Sequence, residues 1–155
     1  MARCLNLTKA GEYAIAALSR LTLESRGEAV TVGELAREQE IPRSFLAKVI
    51  ARCAKAGLVQ ARKGPDGGVA LSRPADEISL LSIIEACEGD YRRDSCVFYA
   101  ARRCEGPACE VYCPLRREEE GLRAGLAGVT LAQMAGSLSR HPYLKEETDG
   151  TSGRR

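Results

Sequence analysis

The chain has 155 residues, of which 45% are apolar and only 5% are aromatic, with no tryptophan. This length excludes a large multidomain enzyme, and a core built mainly from Leu, Ile, Val and Ala favours a small helical domain over a β-sandwich or barrel. The net charge is +2, but residues 1–75 carry twelve Lys or Arg against seven Asp or Glu, so an anionic partner is expected to bind this half.

Three helical patterns occupy most of the first half. Apolar residues at three- and four-residue spacing predict a helix over about 8–24, and residues 26–30 form a polar break. Thr31 and Glu34 have the spacing of a capping box, which predicts a second helix of about two turns. A third helix is expected over 42–56, because proline suits a first helical turn. The predicted inward-facing residues are Ala14, Leu18, Leu21, Val32, Leu35, Ala36, Leu46, Val49, Ile50 and Cys53.

A β-hairpin is predicted next. Two short extended runs, residues 58–63 and 69–71, surround a turn rich in Gly, Pro and Asp, and basic residues lie near its tip. A further helix is expected over about 79–88, with Leu80, Leu81, Ile84 and Cys87 buried.

The rest of the chain has two helical patterns and two irregular segments. Residues 90–113, the cysteine segment, lack a sustained period. Pro114 is expected to open a longer helix, with Leu115, Leu122 and Leu126 on one side, and a short helical turn should follow near 130–138. The polar segment from His141 is expected to be disordered.

Two short helices joined by a tight turn and followed by a basic hairpin have the order of a winged helix-turn-helix. In that fold the second helix of the pair enters the major groove of DNA, and the wing contacts the neighbouring groove or backbone. Hydroxyl and cationic side chains suit phosphates and base edges. Any one of them could equally be a solvated surface charge, and their joint placement favours DNA. The predicted DNA-binding residues are Arg43, Ser44, Phe45, Lys48, Arg52, Lys55, Arg62 and Lys63.

Seven cysteines are the unusual number in this composition. No apolar run approaches the ~20 residues that a bilayer span needs, and no export signal is recognisable, so a cytoplasmic protein is expected. Structural disulfides are rare in that compartment. Cys53 and Cys87 fall on apolar helix faces and are expected in the core, whereas Cys4 is expected to have no specific role.

The other four cysteines fall within eighteen residues, at Cys96, Cys104, Cys109 and Cys113. Several thiolates beside cationic Arg102 and Arg103 suit an iron–sulfur cluster. Zinc is the competing metal, although structural zinc sites more often use closer cysteine pairs. Spare thiols or a disulfide switch are the alternatives without a metal. No pattern of nucleophile and base accompanies the cysteines, so an enzyme is not expected.

The motifs together resemble the Rrf2 family of bacterial transcription regulators, which includes sensors of iron–sulfur status and nitric oxide. The resemblance covers about residues 5–138. Its most specific pieces are LTKAGEYA at 7–14, IPRSFL at 41–46, GLV at 57–59 with RKGPDGG at 62–68, IIEACEG at 83–89 and CPL at 113–115. It implies a homodimer, held largely by the long helix after the cysteines, on a pseudo-palindromic double-stranded operator.

The resemblance also implies a set of ligands. In cluster-binding members, three cysteines from each subunit hold a two-iron or four-iron cluster whose loss or modification changes DNA affinity. The match implies Cys96, Cys104 and Cys113, while Cys109 departs from the pattern as a replacement, a fourth ligand or a spare thiol. Some members add a carboxylate from the first helix of the partner subunit. Glu12 matches that position, and a surface glutamate is the equal alternative.

The chain is therefore expected to have three parts: a winged helix-turn-helix domain over 1–75, a cysteine-rich sensor loop with dimerisation helices over 76–140, and a disordered tail over 141–155. The predicted function is that of a cytoplasmic regulator with no membrane partner, whose operator affinity depends on a cluster sensing iron–sulfur status, redox or nitric oxide. The alternatives are a cluster-free regulator of the same fold, sensing thiol redox, a metabolite or a protein partner, and a zinc-stabilised DNA-binding protein.

Overall fold

The computed structural model describes residues 7–24, 29–62, 67–90, 112–138 and 140. Helices and one β-hairpin make up these residues, which confirms the predicted mainly α fold with a hairpin wing. Most predicted ends are correct to within one or two residues, and a short 3-10 helix at 75–77 was not predicted. In chain order the elements are α1 (Lys9–Glu24), α2 (Val32–Glu38), α3 (Arg43–Lys55), β1 (Val59–Arg62), β2 (Gly68–Leu71), α4 (Leu80–Glu88), α5 (Tyr112–Gly128) and α6 (Leu131–Leu138).

The predicted capping box begins α2. The Thr31 hydroxyl accepts a hydrogen bond from the Glu34 backbone N–H at 3.1 Å, and the Glu34 carboxylate accepts one from the Thr31 backbone N–H at 3.0 Å. After α2, Glu40 has a φ of 52°, a left-handed conformation that turns the chain sharply towards α3. Pro42 is the residue before α3 rather than its first residue. Helices α2 and α3 are thus joined by a tight turn.

The core is centred on α1, which packs against α3, α4 and α6. Ala14, Leu18 and Leu21 are fully buried, and the predicted inner stripe of α3, from Leu46 to Cys53, is buried as well. In α4 the prediction was partly wrong, since Leu80 and Leu81 are half-buried whereas Ile83 joins Ile84 in the core. Ile83 is buried because α4 packs against α1, α3 and α5, so more than one stripe of this helix is covered. Val32 in α2, predicted to face inward, is also only half-buried.

The wing has a backbone partner that the sequence pattern did not predict. Strands β1 and β2 pair antiparallel, with Ala61 opposite Val69. Val30 then bridges Val69 from the other side through N–H···O bonds of 3.0 and 2.8 Å. The predicted polar break is therefore wrong at Val30. A Cβ atom on Gly68 would lie 2.6 Å from the Val30 carbonyl oxygen, so only glycine fits here without a shift of the backbone.

Helix α5 begins at Tyr112, two residues before Pro114. The expectation that Pro114 opens this helix was wrong, but proline is tolerated in the first turn because N–H groups there have no partner within the helix. Leu126 is buried and Leu122 half-buried on the inner side, whereas the side chain of Leu115 lies outside the described part. None of the helices described is long and apolar enough to cross a membrane.

Candidate DNA interface and metal centre

Most of the predicted DNA-binding residues of α3 lie on its outer face. Because Leu46, Val49 and Cys53 fix the inner stripe, Lys48 points away from the core and is exposed. Arg43, the first residue of the helix, lies on the side of the inner stripe but is exposed at the helix end. Ser44 and Lys55 are also exposed. The cations Arg43, Lys48 and Lys55 form no salt bridge with any other described residue. Their charge is therefore available to an anionic ligand.

Phe45 is held by a ring contact that hydrophobic periodicity did not indicate. Its ring meets Tyr13 of α1 edge-on, with centroids 5.5 Å apart and planes at 87°. The Lys9 ammonium lies 6.0 Å from the centroid of the Tyr13 ring. Phe45 still has 39% of its surface exposed. The first turn of α3 thus presents one accessible aromatic ring, and the N-terminal turn of α1 places a cation beside the Tyr13 ring that Phe45 contacts.

Arg52 differs from the other predicted cations. It is exposed, but its Nη1 donates a hydrogen bond to the Cys87 backbone carbonyl at 2.9 Å. That carbonyl belongs to the last turn of α4. Arg52 therefore ties α3 to the end of α4, where the cysteine segment begins.

The wing supplies one described cation. Arg62 is the last residue of β1 and is exposed, so it lies on the hairpin, as predicted. Lys63 and the tip of the turn, residues 63–66, lie outside the described residues.

The predicted metal ligands fall largely outside the described part of the chain. Cys96, Cys104 and Cys109 belong to residues 91–111, and Cys4 and the tail from residue 141 are likewise outside. Cys113 is the second residue of α5, although its side chain is not described. Residues 112 and 113, expected to belong to the irregular segment, are therefore helical, and the backbone of Cys113 belongs to the positive end of a helix dipole. Among the residues described, no group of three or more His, Cys, Asp or Glu could hold a metal ion.

An ion-pair cluster joins the two helices that flank the cysteine segment. The Arg123 Nη1 of α5 lies 2.6 Å from the Glu85 carboxylate of α4 and 3.3 Å from that of Asp90. The hydrogen bond with Glu85 raises the pKa of Arg123 above its ordinary value. Since Asp90 begins the segment, this cluster fixes where the segment leaves α4 relative to α5. No short-range sequence signal could have predicted a contact between residues 38 positions apart.

Glu88 makes a second link that the sequence did not reveal. Its carboxylate accepts hydrogen bonds from the backbone N–H and the hydroxyl of Thr8, at 2.8 and 3.0 Å. The last residue of α4 thus caps the N-terminus of α1, where a carboxylate also suits the helix dipole. A Cβ atom on Gly11 would lie 2.5 Å from the same carboxylate oxygen.

Glu12 lies one turn further along α1. It is half-buried and forms a salt bridge of 2.6 Å with Lys9. It also lies at the edge of a groove of about 460 Å³ between α1 and α6, lined mostly by apolar side chains such as Ile15 and Met134. The structure brings Glu12 and the beginning of the cysteine segment close to the same end of α1.

Comparison with known proteins identifies the family. Residues 7–137 match the family model described as "Rrf2: Iron-dependent Transcriptional regulator". Over 86 residues the chain is 38% identical to the HTH-type transcriptional regulator IscR of Cereibacter sphaeroides, and this match covers 54% of the chain and 56% of that regulator.

Two solved structures show the same fold. CymR, described as the global cysteine regulator of B. subtilis, has a TM-score of 0.71 at 21% identity, covering 86% of this chain and 98% of CymR. The IscR of T. potens has a TM-score of 0.68 at 22% identity, covering 98% of this chain and 95% of IscR. The family match extends across the hairpin and α4 to α6 and confirms the prediction of a transcriptional regulator rather than an enzyme. The chain is a member of the Rrf2 family of transcriptional regulators.

Proposed function

We propose that this chain is a homodimeric regulator that binds double-stranded operator DNA through α3 and the wing, with an affinity controlled by a cysteine-ligated iron–sulfur cluster. The observation that carries the proposal is the set of four thiols within eighteen residues, in a segment whose flanking helices are held together by Arg123. The division into a DNA-binding part over 1–75 and a sensor and dimerisation part over 76–140 is part of this proposal.

The chemistry of the donor set fits a cluster. Three or four thiolates are the usual protein ligands of two-iron and four-iron clusters, and cations lower the cost of gathering them. Arg102 and Arg103 supply positive charge within the segment, and the N-terminus of α5 favours a thiolate at Cys113. Cys96, Cys104 and Cys113 would serve as ligands, with Cys109 as a fourth ligand or a spare thiol.

Glu12 is the candidate ligand from the partner subunit. A bound cluster would supply electron-transfer chemistry and a centre that nitric oxide or oxygen can modify. The role of Glu12 would be to lend one carboxylate oxygen across the dimer, which requires release of its salt bridge with Lys9. Lys9 would then remain beside Tyr13, close to the N-terminus of α3.

A continuous chain of contacts connects the cysteine segment to the DNA-binding face. Asp90 is held by Arg123, the end of α4 is held to α1 by Glu88, and Arg52 of α3 holds the Cys87 carbonyl. A change in the geometry of the segment would therefore act on α3 through α4. Such coupling needs two states of the dimer with different DNA affinities.

Anaerobic purification with iron and sulfide analysis tests the proposal. The wild-type chain is expected to be coloured and to contain iron and acid-labile sulfide, and Cys4→Ser should contain as much as wild type. A colourless protein after cluster reconstitution would contradict the proposal. In that case bound zinc would favour the zinc-stabilised alternative, and a metal-free protein would favour the cluster-free one.

A further inference from the structure

Phe45 is an exposed aromatic residue on the helix that is proposed to bind DNA. Of the large apolar side chains that the structure describes, only Leu23 and Phe45 are exposed, at 38 and 39%. Leu23 lies in the last turn of α1, whereas Phe45 lies in the first turn of α3. Its neighbour Ser44 and Lys48, one turn further along, are exposed as well. The Phe45 ring therefore lies among the polar groups proposed to contact DNA.

Tyr13 holds this ring in place. The two rings meet edge-on with their centroids 5.5 Å apart, and Tyr13 is itself half-buried and packed against the hydrophobic core. Edge-to-face pairs of aromatic rings are favourable beyond the area that they bury. A side chain that is already held in place loses little conformational entropy when a ligand binds it. The contact with Tyr13 thus prepares the accessible part of the Phe45 ring for an apolar ligand group.

The residue types of α3 limit which bases this helix can read. In the major groove Asn or Gln pairs with adenine, Asp or Glu accepts a hydrogen bond from cytosine, and Arg or Lys pairs with guanine. Thymine is distinguished by its C5 methyl group, which apolar side chains contact. Helix α3 contains no Asn, Gln, Asp or Glu, and its Arg52 already donates to the Cys87 carbonyl. Apart from guanine pairing by its cations, α3 therefore offers apolar contact with thymine.

We propose that Phe45 reads the C5 methyl group of a thymine in each half-site of the operator, and that Tyr13 is its positioning residue. The N-terminal residues of a recognition helix are those that contact base edges, and Phe45 is the third residue of α3. On the scale of one buried methylene, a methyl group covered by the ring raises the affinity by about fourfold. This inference rests on the proposed binding of DNA through α3 and is independent of the iron–sulfur cluster.

Deoxyuridine tests the contact, because it differs from thymidine only by the missing methyl group. An operator is first selected from random DNA duplexes with the full-length protein, and each symmetric pair of its thymines is then replaced by deoxyuridine. For one such pair the affinity of the wild type should fall by about sixteenfold, at about fourfold in each half-site. Phe45→Ala should bind the thymine and deoxyuridine operators equally. Leu23→Ala is the matched control, because Leu23 is an equally exposed apolar residue outside α3, and it should keep the full loss.

Variants of Tyr13 test its positioning role. Tyr13→Leu removes the ring that Phe45 contacts, so the loss caused by deoxyuridine should become smaller. Tyr13→Phe keeps the ring and should restore the loss of the wild type. Because each loss compares two DNA duplexes with the same protein, any general weakening of binding by the substitution cancels. A full loss in Tyr13→Leu would overturn the role of Tyr13.

Three results would overturn the reading of thymine by Phe45. They are a selected operator without thymine in its half-sites, wild-type binding that no deoxyuridine pair weakens, and a loss that persists in Phe45→Ala. Failure to select any duplex would instead contradict the proposed DNA binding itself, and this inference with it. If Phe45→Ala does not fold, an operator carrying 5-iododeoxyuridine at the same positions decides with the wild type. Irradiation should cross-link it to Phe45, and a cross-link to another residue would overturn the proposal.

Discussion

Lys48→Ala gives the most direct test of the DNA-binding face. Lys48 is exposed on the outer side of α3 and has no salt-bridge partner among the described residues. Its ammonium is therefore free to neutralise a DNA phosphate and to release a condensed counterion. The substitution removes that charge without disturbing the buried stripe of Leu46, Val49 and Cys53.

The expected change in salt dependence follows from the number of phosphate contacts that the substitution removes. A dimer carries two copies of Lys48, so the slope of log affinity against log salt should become shallower by about 1.8, at about 0.9 for each phosphate. Both proteins lose affinity when salt rises from about 50 to about 200 mM. The factor by which the affinity of the variant falls should be about twelve times smaller than the factor for wild type. The weakening should be similar on operator and on unrelated DNA, because a phosphate contact carries no sequence information.

Fluorescence anisotropy with labelled operator over a series of salt concentrations measures this slope. Arg117→Ala is the matched control, because Arg117 is an exposed cation on α5, far along the chain from the winged helix. The control should keep the wild-type slope. An unchanged slope in the Lys48→Ala protein, with its circular dichroism intact, would remove Lys48 from the interface and refute the reasoning about the outer face of α3.

Three further predictions concern the segment, the wing and the capping box. Cys104→Ser should abolish iron binding with the thermal unfolding curve unchanged, and normal iron content would exclude Cys104 as a ligand. Gly68→Ala should lower the free energy of unfolding by about 1–3 kcal/mol, because the added Cβ meets the carbonyl of Val30. Gly125→Ala, where a Cβ meets no other atom, should raise the free energy of unfolding by about 0.4–1 kcal/mol. Equal effects of the two substitutions in urea unfolding would contradict this. Hydrogen bonds from the Thr31 hydroxyl and backbone lower the pKa of Glu34, so the cap should stabilise the fold above the pKa of the unfolded chain and weaken as pH falls through the folded pKa. In an NMR titration Thr31→Ala should move that pKa up towards the ordinary value, and an unmoved pKa would exclude the Thr31 hydroxyl as its cause.

Sequence patterns correctly predicted those features whose signal lies within a single helix or turn. The spacing of Ala14, Leu18 and Leu21 identified the buried face of α1, and Thr31 with Glu34 identified the start of α2. These signals are reliable because they depend on neighbours three or four residues away. The outer face of α3 followed directly from the inner one.

Contacts between distant parts of the chain could not be predicted in this way. The bridge from Val30 to the wing joins single residues, so it leaves no alternating pattern in the sequence. The hydrogen bonds of Arg123 and Arg52 cross 38 and 35 residues. Cys53 and Cys87 were each expected in the core, and that is confirmed. These tertiary contacts connect the cysteine segment with the DNA-binding face.

The hydrogen bonds by which Glu88 caps α1 explain why residue 11 is a glycine. Glycine inside a helix costs roughly 0.5–1 kcal/mol relative to alanine, yet a methyl group here would displace the Glu88 carboxylate from its two Thr8 donors. The gap left by the absent side chain therefore sets how closely the end of α4 can approach α1. In an engineered or natural variant, a single added carbon at residue 11 would push the last residue of α4 away from α1 without touching any cysteine.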